Sequence, residues 1–360
     1  MKVKLDGIEK HFRTVWMKGS TVCMIDQRLL PHRFKLLKCR NYLDTIEAIK
    51  NMTVRGAGAI GATAGYAMAQ AALESANLRK PLKYLFMAAD KIKASRPTAQ
   101  NLFYAVDRVC NAINNEETLE SAVKAAVLEA NAIANDDAEA CRKIGEFGNT
   151  LLGVKDSVLT HCNAGWLAFV DNGSALSPVY AAKAAGKQII VYSDETRPRL
   201  QGANLTSWEL LNEGIEHYVI PDNAAGAFMR DGRIGLVIVG ADRIANNGDT
   251  ANKIGTYEKA ICARAAGIPF YVAAPTSTFD VNCRSGRDIP IEYRSEDEVH
   301  WIYGMTEKGK RGRVRVTPEG SKALNPAFDV TPAEYISGFI TEKGIIFNEN
   351  KGFDFEKLWK

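Results

Sequence analysis

The sequence predicts an α/β protein in which a mostly helical N-terminal half precedes a doubly wound parallel sheet. Three observations carry that prediction. Helix-forming segments dominate residues 44–148, and after residue 155 five apolar, β-branched runs alternate with helix-like stretches. Those five runs are continuously apolar, as parallel strands covered on both faces are. A chain of 360 residues exceeds the usual single-domain size, so two domains are expected, 1–150 and 151–360, meeting near 145–155.

Taken in order, STVCMIDQRLLP (20–31) reads as a short strand or hairpin ending at Pro31. DTIEAIKNM (44–52), the alanine-rich run from Gly58 to Glu74, and residues 98–114 and 117–148 have helical spacing and strong helix formers. Strands are expected at SVLTHC (157–162), QIIVYSDE (188–195), EHYVIPD (216–222), GLVIVGAD (235–242) and PFYVAAP (269–275). Helices are expected between them, near 174–186, 202–213, 223–230 and 251–266.

Composition narrows the function. The chain is 46% hydrophobic and 24% charged, which suits a globular protein with a sizeable core. A net charge of +4 is too small for general nucleic-acid affinity but suits a site for a small anion. No run approaches the ~18 apolar residues of a membrane span, and no signal-like stretch follows Met1–Phe12. Seven scattered cysteines with no C-x-x-C pair, and five dispersed histidines, predict a reducing cytoplasm and no metal site.

RGAGAIGATAG (55–65) contains G-x-G-x-x-G at Gly56, Gly58 and Gly61. A dinucleotide fingerprint follows a strand and has an acidic residue about 20 positions on. Here the preceding segment is helix-like and the downstream stretch, NLRKPLKYL, is basic, so NAD binding is not expected. The glycines have two other uses: an anion can approach a bare helix N-terminus beside Arg55, or helices can pack closely.

In an open α/β sheet, ligands sit beyond the carboxyl ends of the strands. Those ends carry His161-Cys162-Asn163, Asp194-Glu195, Asp222-Asn223, Asp242-Arg243 and Pro275-Thr276. Cys162 is either a small buried hydrophobe or a thiol opening on the crevice, near the N-terminus of a following helix. His161 should point to the opposite face and be a satisfied core histidine. Asp242 ends the most apolar run, either capping the next element or holding a proton at a raised pKa. Asp249 or Thr250 would cap a helix whose first turn carries Asn252 and Lys253, a phosphate seat. The loop with Arg197 and Arg199 is a binding candidate, and the basic run Lys308–Arg315 reads as a solvated loop.

Taken together, VRGAGAIG (54–61), SRPTAQNL (95–102), THCNAG (160–165), DETRPRLQGANLTSWEL (194–210), VGADRIANNGDTANKIGTY (239–257), PIEYRSEDEV (290–299) and NPAFDVTPAEYISGFITEKG (325–344) resemble the methylthioribose-1-phosphate isomerase family. That family shares a superfamily with the regulatory subunits of translation initiation factor 2B. The resemblance runs in order from about residue 20 to 345. It implies a Rossmann-like C-terminal domain, a cytoplasmic homodimer, a sugar phosphate substrate and no cofactor. By motif it makes Cys162 and Asp242 the catalytic pair, with Arg55, Gly56, Ala57, Arg96, Gln201, Asn252 and Lys253 holding substrate. The family usually has Pro where this chain has Gly58, and Arg where it has Asn204. The implied reaction is aldose–ketose isomerisation in methionine salvage. Related 5-substituted sugars (5-deoxyribose 1-phosphate, ribose 1,5-bisphosphate) and a non-catalytic regulatory subunit are the alternatives.

Overall fold

A computed structural model describes residues 1–5, 7–96, 99–349 and 352–358. The chain opens with a hairpin, β1 (Lys2–Leu5) and β2 (Ile8–His11). A three-stranded antiparallel sheet follows, β3 (Val15–Lys18), β4 (Thr21–Ile25) and β5 (Leu36–Cys39). Five helices come next: α1 (Tyr42–Lys50), α2 (Ala57–Ser75), α3 (Pro81–Lys93), α4 (Gln100–Asn114) and α5 (Leu119–Asn149). The expected helix at 98–114 is α4, apart from its start, since Pro97 and Thr98 lie outside the described residues.

α3 was not anticipated. Its signal was present: Pro81 in the first turn, then Leu85, Ala88, Ala89 and Ile92 buried on one face at helical spacing. The basic residues at its start obscured that stripe.

α2 is buried along nearly its whole length, as a helix apolar all round must be. The glycines at its start serve close packing, one of the two uses foreseen for them. A Cβ on Gly58 would lie 2.1 Å from Asp137 Oδ1 and 2.5 Å from the Phe169 ring, so here a side chain is excluded by packing. Gly56 precedes the helix at φ +89°, and a Cβ there would come within 2.4 Å of the Ala168 backbone. No strand precedes this motif, so the dinucleotide context fails as expected.

The second half contributes β6 (Lys155–Thr160), α6 (Ser177–Ala184), β7 (Gln188–Asp194), α7 (Ser207–Glu213), β8 (Glu216–Ile220), α8 (Ala225–Arg230) and β9 (Leu236–Val239). After these come β10 (Arg243–Ala245), β11 (Thr250–Lys253), α9 (Thr256–Ala266), β12 (Phe270–Ala273) and β13 (Phe279–Asp280). The chain closes with α10 (Asp297–His300), β14 (Trp301–Met305), β15 (Arg311–Arg315), β16 (Phe328–Thr331), β17 (Gly338–Thr341) and β18 (Gly344–Phe347). The main sheet has the order β18-β17-β12-β9-β6-β7-β8, parallel except for its edge strand β18. All five expected strands lie in it. The chain starts at β6, runs outward through β7 and β8, then returns to the other side of β6 at β9. The order therefore reverses between β6 and β9, the position where α/β sheets bind ligands. No helix is long and apolar enough to cross a membrane among the described residues.

Two expectations are corrected. Residues 250–253 are strand β11, paired antiparallel with β10 and β16, so neither Asp249 nor Thr250 caps a helix there. The cause is the Asn247-Gly248 turn: Gly248 takes φ +90°, as a tight hairpin between β10 and β11 requires. The helix begins only at Thr256, after Gly255 at φ +100°. Likewise Lys308–Arg315 is not a loop throughout. Arg311–Arg315 forms the second strand of an exposed hairpin with Trp301–Met305, and Arg313 stacks 4.3 Å from the Trp301 ring centre.

Gly56→Ala tests the close approach of α2 to residue 168. A left-handed φ costs an L-residue about 1–2 kcal/mol and overpacking about 1–3 kcal/mol more. Urea unfolding should show a loss of about 2–5 kcal/mol; a variant as stable as the parent would contradict the packing described.

Candidate active site

β6 and β9, the strands beside the switch point, end in Cys162 and Asp242. Both face a cavity of about 200 Å³ roofed by the N-terminus of α2. Arg55, Gly56, Ala57, Arg96, Gln201, Asn252 and Lys253 line the same cavity, so the structure brings every expected site residue together. Arg197 and Arg199 do not join them. Arg197 donates to the Val299 and Pro198 carbonyls, and Arg199 pairs with Glu298 at 2.6 Å, stapling the loop after β7 to α10.

No α-helix directly follows Cys162, contrary to expectation; a three-residue turn at Trp166–Ala168 does. The helix end facing this cavity is that of α2, whose first backbone N–H groups have no intrahelical acceptor and carry partial positive charge. Cys162 itself adopts φ +65°, unusual for a residue with a side chain. Two threonines hold it there. The Cys162 N–H donates to Thr196 Oγ1 at 2.8 Å, and Thr206 Oγ1 donates to the Cys162 carbonyl at 2.7 Å.

The next residue, Asn163, is buried and organises the wall. Arg55 Nη2 donates to its carbonyl at 2.9 Å and to its Oδ1 at 3.2 Å. Asn163 Nδ2 in turn donates to Glu209 Oε1 at 2.9 Å. Glu209 also accepts from the Trp166 and Leu167 N–H groups and the Tyr180 hydroxyl. Burial pushes its carboxyl up to about 7 against these hydrogen bonds. Arg55 Nη1 and Gln201 Oε1, a donor and an acceptor, are buried without a partner among the described residues. Each is a place for a ligand atom, because orphaned buried polar groups are costly.

Asp242 keeps accessible surface toward the cavity, yet protein crowds it closely. Desolvation raises its carboxyl pKa, opposed by the charges of Lys253, Arg294, Arg55 and Arg96. Lys253 is buried; its Nζ donates to the Ala327 carbonyl at 2.7 Å and lies 4.7 Å from the Phe328 ring centre. Burial brings its pKa down to about 8, helped by Arg294 and Arg55 and opposed by Cys162 and Asp242. Sequence reasoning missed Arg294, which also lines the cavity and pairs with Glu292 at 3.2 Å. Its signal lay inside the quoted stretch PIEYRSEDEV. Apolar wall is supplied by Ala164, Ala168, Phe169, Ile289 and Pro290. Four cations around one carboxyl, with an apolar wall opposite, make a seat for a multiply charged anion carrying an uncharged body.

A parallel sheet with its site at the switch point, under a helical layer, defines the class. Residues 53–348 match the Initiation factor 2 subunit family, and the chain belongs to it. Its relatives within that family are more particular. The chain is 51% identical over 328 residues to the methylthioribose-1-phosphate isomerase of Acetivibrio thermocellus, covering 90% of this chain and 93% of the relative. The crystal structure of 5-methylthioribose 1-phosphate isomerase from Pyrococcus horikoshii OT3 matches with a TM-score of 0.84 and 44% identity, covering 94% and 93% of the two chains. A structure described as translation initiation factor eIF-2B subunit delta from A. fulgidus also gives 0.84, at 40% identity and 97% and 100% coverage. The resemblance read from the sequence is thus met.

Sulfate keeps its charge across pH 7–9.5 and so isolates the cavity's titration. Lys253 is charged below about pH 8 and neutral above it. Sulfate affinity by calorimetry should therefore weaken by about tenfold above that point, a charge-assisted contact being lost. Lys253→Gln should bind weakly with this step removed. An unchanged affinity from pH 7 to 9.5 in the parent would refute the assignment.

Proposed function

We propose that this chain is an aldose–ketose isomerase that converts 5-methylthioribose 1-phosphate to 5-methylthioribulose 1-phosphate in methionine salvage. The observation that carries this reading is the joint placement of Cys162 and Asp242 at the switch point, on one cavity where Arg55, Arg96, Lys253 and Arg294 surround the Asp242 carboxyl. The identity to isomerases over nine-tenths of the chain supports the substrate. Arg55, Arg96, Lys253 and the N-terminus of α2 hold the phosphate, with Asn252 and Gln201 taking substrate hydroxyls. The reading includes a homodimer in the cytoplasm, consistent with seven free cysteines.

Carbon 1 of the substrate is a phosphorylated hemiacetal, so the furanose must open with the phosphate retained. Asp242, whose carboxyl is shifted toward the neutral form by desolvation, acts as general acid and donates to the ring oxygen as the C1–O bond breaks. Hydride then passes from C2 to C1 with its electron pair, and the C2 hydroxyl loses its proton to become the ketone. Cys162 stabilises that transition state from the opposite strand end, and the apolar wall excludes water. The alternative route, with Cys162 as base and an enediol intermediate, exchanges the migrating hydrogen with solvent.

Purified protein should convert methylthioribose 1-phosphate to the ketose, and Cys162→Ser and Asp242→Asn should each lose about 10²-fold or more in kcat. In heavy water, C1 of the product should carry no deuterium. Substantial incorporation would replace the hydride shift with the enediol route. No turnover would leave the regulatory-subunit reading, whereas full activity in both variants would remove Cys162 and Asp242 from the catalytic mechanism.

A further inference from the structure

His161 is satisfied and buried, as expected, but the partners that satisfy it tie the two sides of the site together. Its Nε2 lies 2.8 Å from the Ile254 carbonyl, the residue after Lys253. Its Nδ1 lies 2.8 Å from Asp194 Oδ2 at the end of β7. The ring is 1% exposed, wedged between the strand end that presents Cys162 and the turn that follows Asn252-Lys253. Gly255 leaves room for it, since a Cβ there would stand 3.1 Å from the ring Cε1.

The hydrogen bonds fix the proton count. A carbonyl only accepts, so Nε2 carries a hydrogen. Nδ1 then faces a carboxylate, and a bare nitrogen against an ionised oxygen would be repulsive. One further proton therefore sits between Nδ1 and Asp194. Charged groups from three neighbouring elements surround the pair. From α9, Lys259 Nζ lies 3.7 Å from Asp194 Oδ2, donates to the Asp222 carbonyl and contacts Glu258. From β16, Asp329 accepts the Gly255 and Tyr257 N–H groups beside the ring. The Asp222 carboxylate, beyond β8, accepts the Thr196 and Arg197 N–H groups. Thr196 is the residue that receives the Cys162 N–H. Although His161, Asp194 and Asp222 are near enough to suggest a metal cluster, Lys259 already supplies the cation there.

We propose that His161, hydrogen-bonded through both ring nitrogens to Asp194 and Ile254, is a positioning residue that sets the distance between the Cys162 sulfur and the cationic end of the cavity. It lies among the residues lining the cavity, but both ring nitrogens are engaged by Asp194 and Ile254 and offer a ligand no free polar atom. The inference rests on the isomerase reading for its catalytic consequence and on hydrogen-bond chemistry for its proton count.

In His161→Gln, the amide can reach one partner but not hold both. Misplacement of reacting groups by about 1 Å costs about 10²-fold in rate, so kcat should fall by about that factor. Sulfate affinity should stay within about twofold, because the cavity cations are untouched. Asp194→Asn should show the same split. A kcat within twofold of the parent, or equal losses in kcat and sulfate binding, would overturn the proposal. ¹⁵N NMR of the unaltered protein gives a reading independent of any variant's folding. Both His161 ring nitrogens should show the chemical shifts of hydrogen-bonded nitrogens, and a ring nitrogen without a hydrogen bond would refute the assignment. An unaltered enzyme inactive on the sugar phosphate would overturn the functional reading; an active one with an unimpaired His161→Gln overturns this inference alone.

Discussion

The site depends on one buried carboxylate. Glu209, fully enclosed on α7, takes hydrogen bonds from the Trp166 and Leu167 backbone, the Tyr180 hydroxyl and the Asn163 amide. The segment leaving β6 has only a three-residue turn of regular structure, so its backbone donors need an outside acceptor. Glu209 is that acceptor. Through Asn163 the same carboxylate orients Arg55, which arrives from the other half of the chain. One side chain thus fixes the loop of Cys162 and the cation that faces it.

The charge economy follows from this arrangement. A net charge of +4 over 360 residues conceals a local excess, because Arg55, Arg96, Lys253 and Arg294 converge on one carboxyl. Desolvation lowers the pKa of Lys253 and raises that of Asp242, moving both toward neutrality from opposite sides. An anion placed among these cations would compensate their charge, as a neutral ligand could not.

Much of this was legible in the sequence. The five parallel strands were readable because burial on both faces leaves an unbroken apolar run, and the strand ends then pointed to Cys162 and Asp242. The false dinucleotide motif was separable by its context alone. What escaped had competing local signals. Asn252 and Lys253 sit beside a strong helix, and the Asn247-Gly248 hairpin turn that makes them strand was overlooked. α3 was hidden by its basic first turn. Arg294 and Glu209 lie inside quoted motifs, but their roles do not show there, since only the folded chain brings residue 294 to the cavity and residue 209 beneath the Cys162 loop.

α2 has a further consequence. It is made largely of alanine and glycine, which surrender almost no side-chain freedom when they are enclosed. Eleven of its nineteen residues are alanine or glycine, and ordering those costs backbone entropy alone. The same lack of bulk lets neighbouring helices press against it at van der Waals distance. Its N-terminus is accordingly a stationary point. The strand ends that lead into Cys162 and Asp242 thus face a helix end held in place by packing along nearly its whole length.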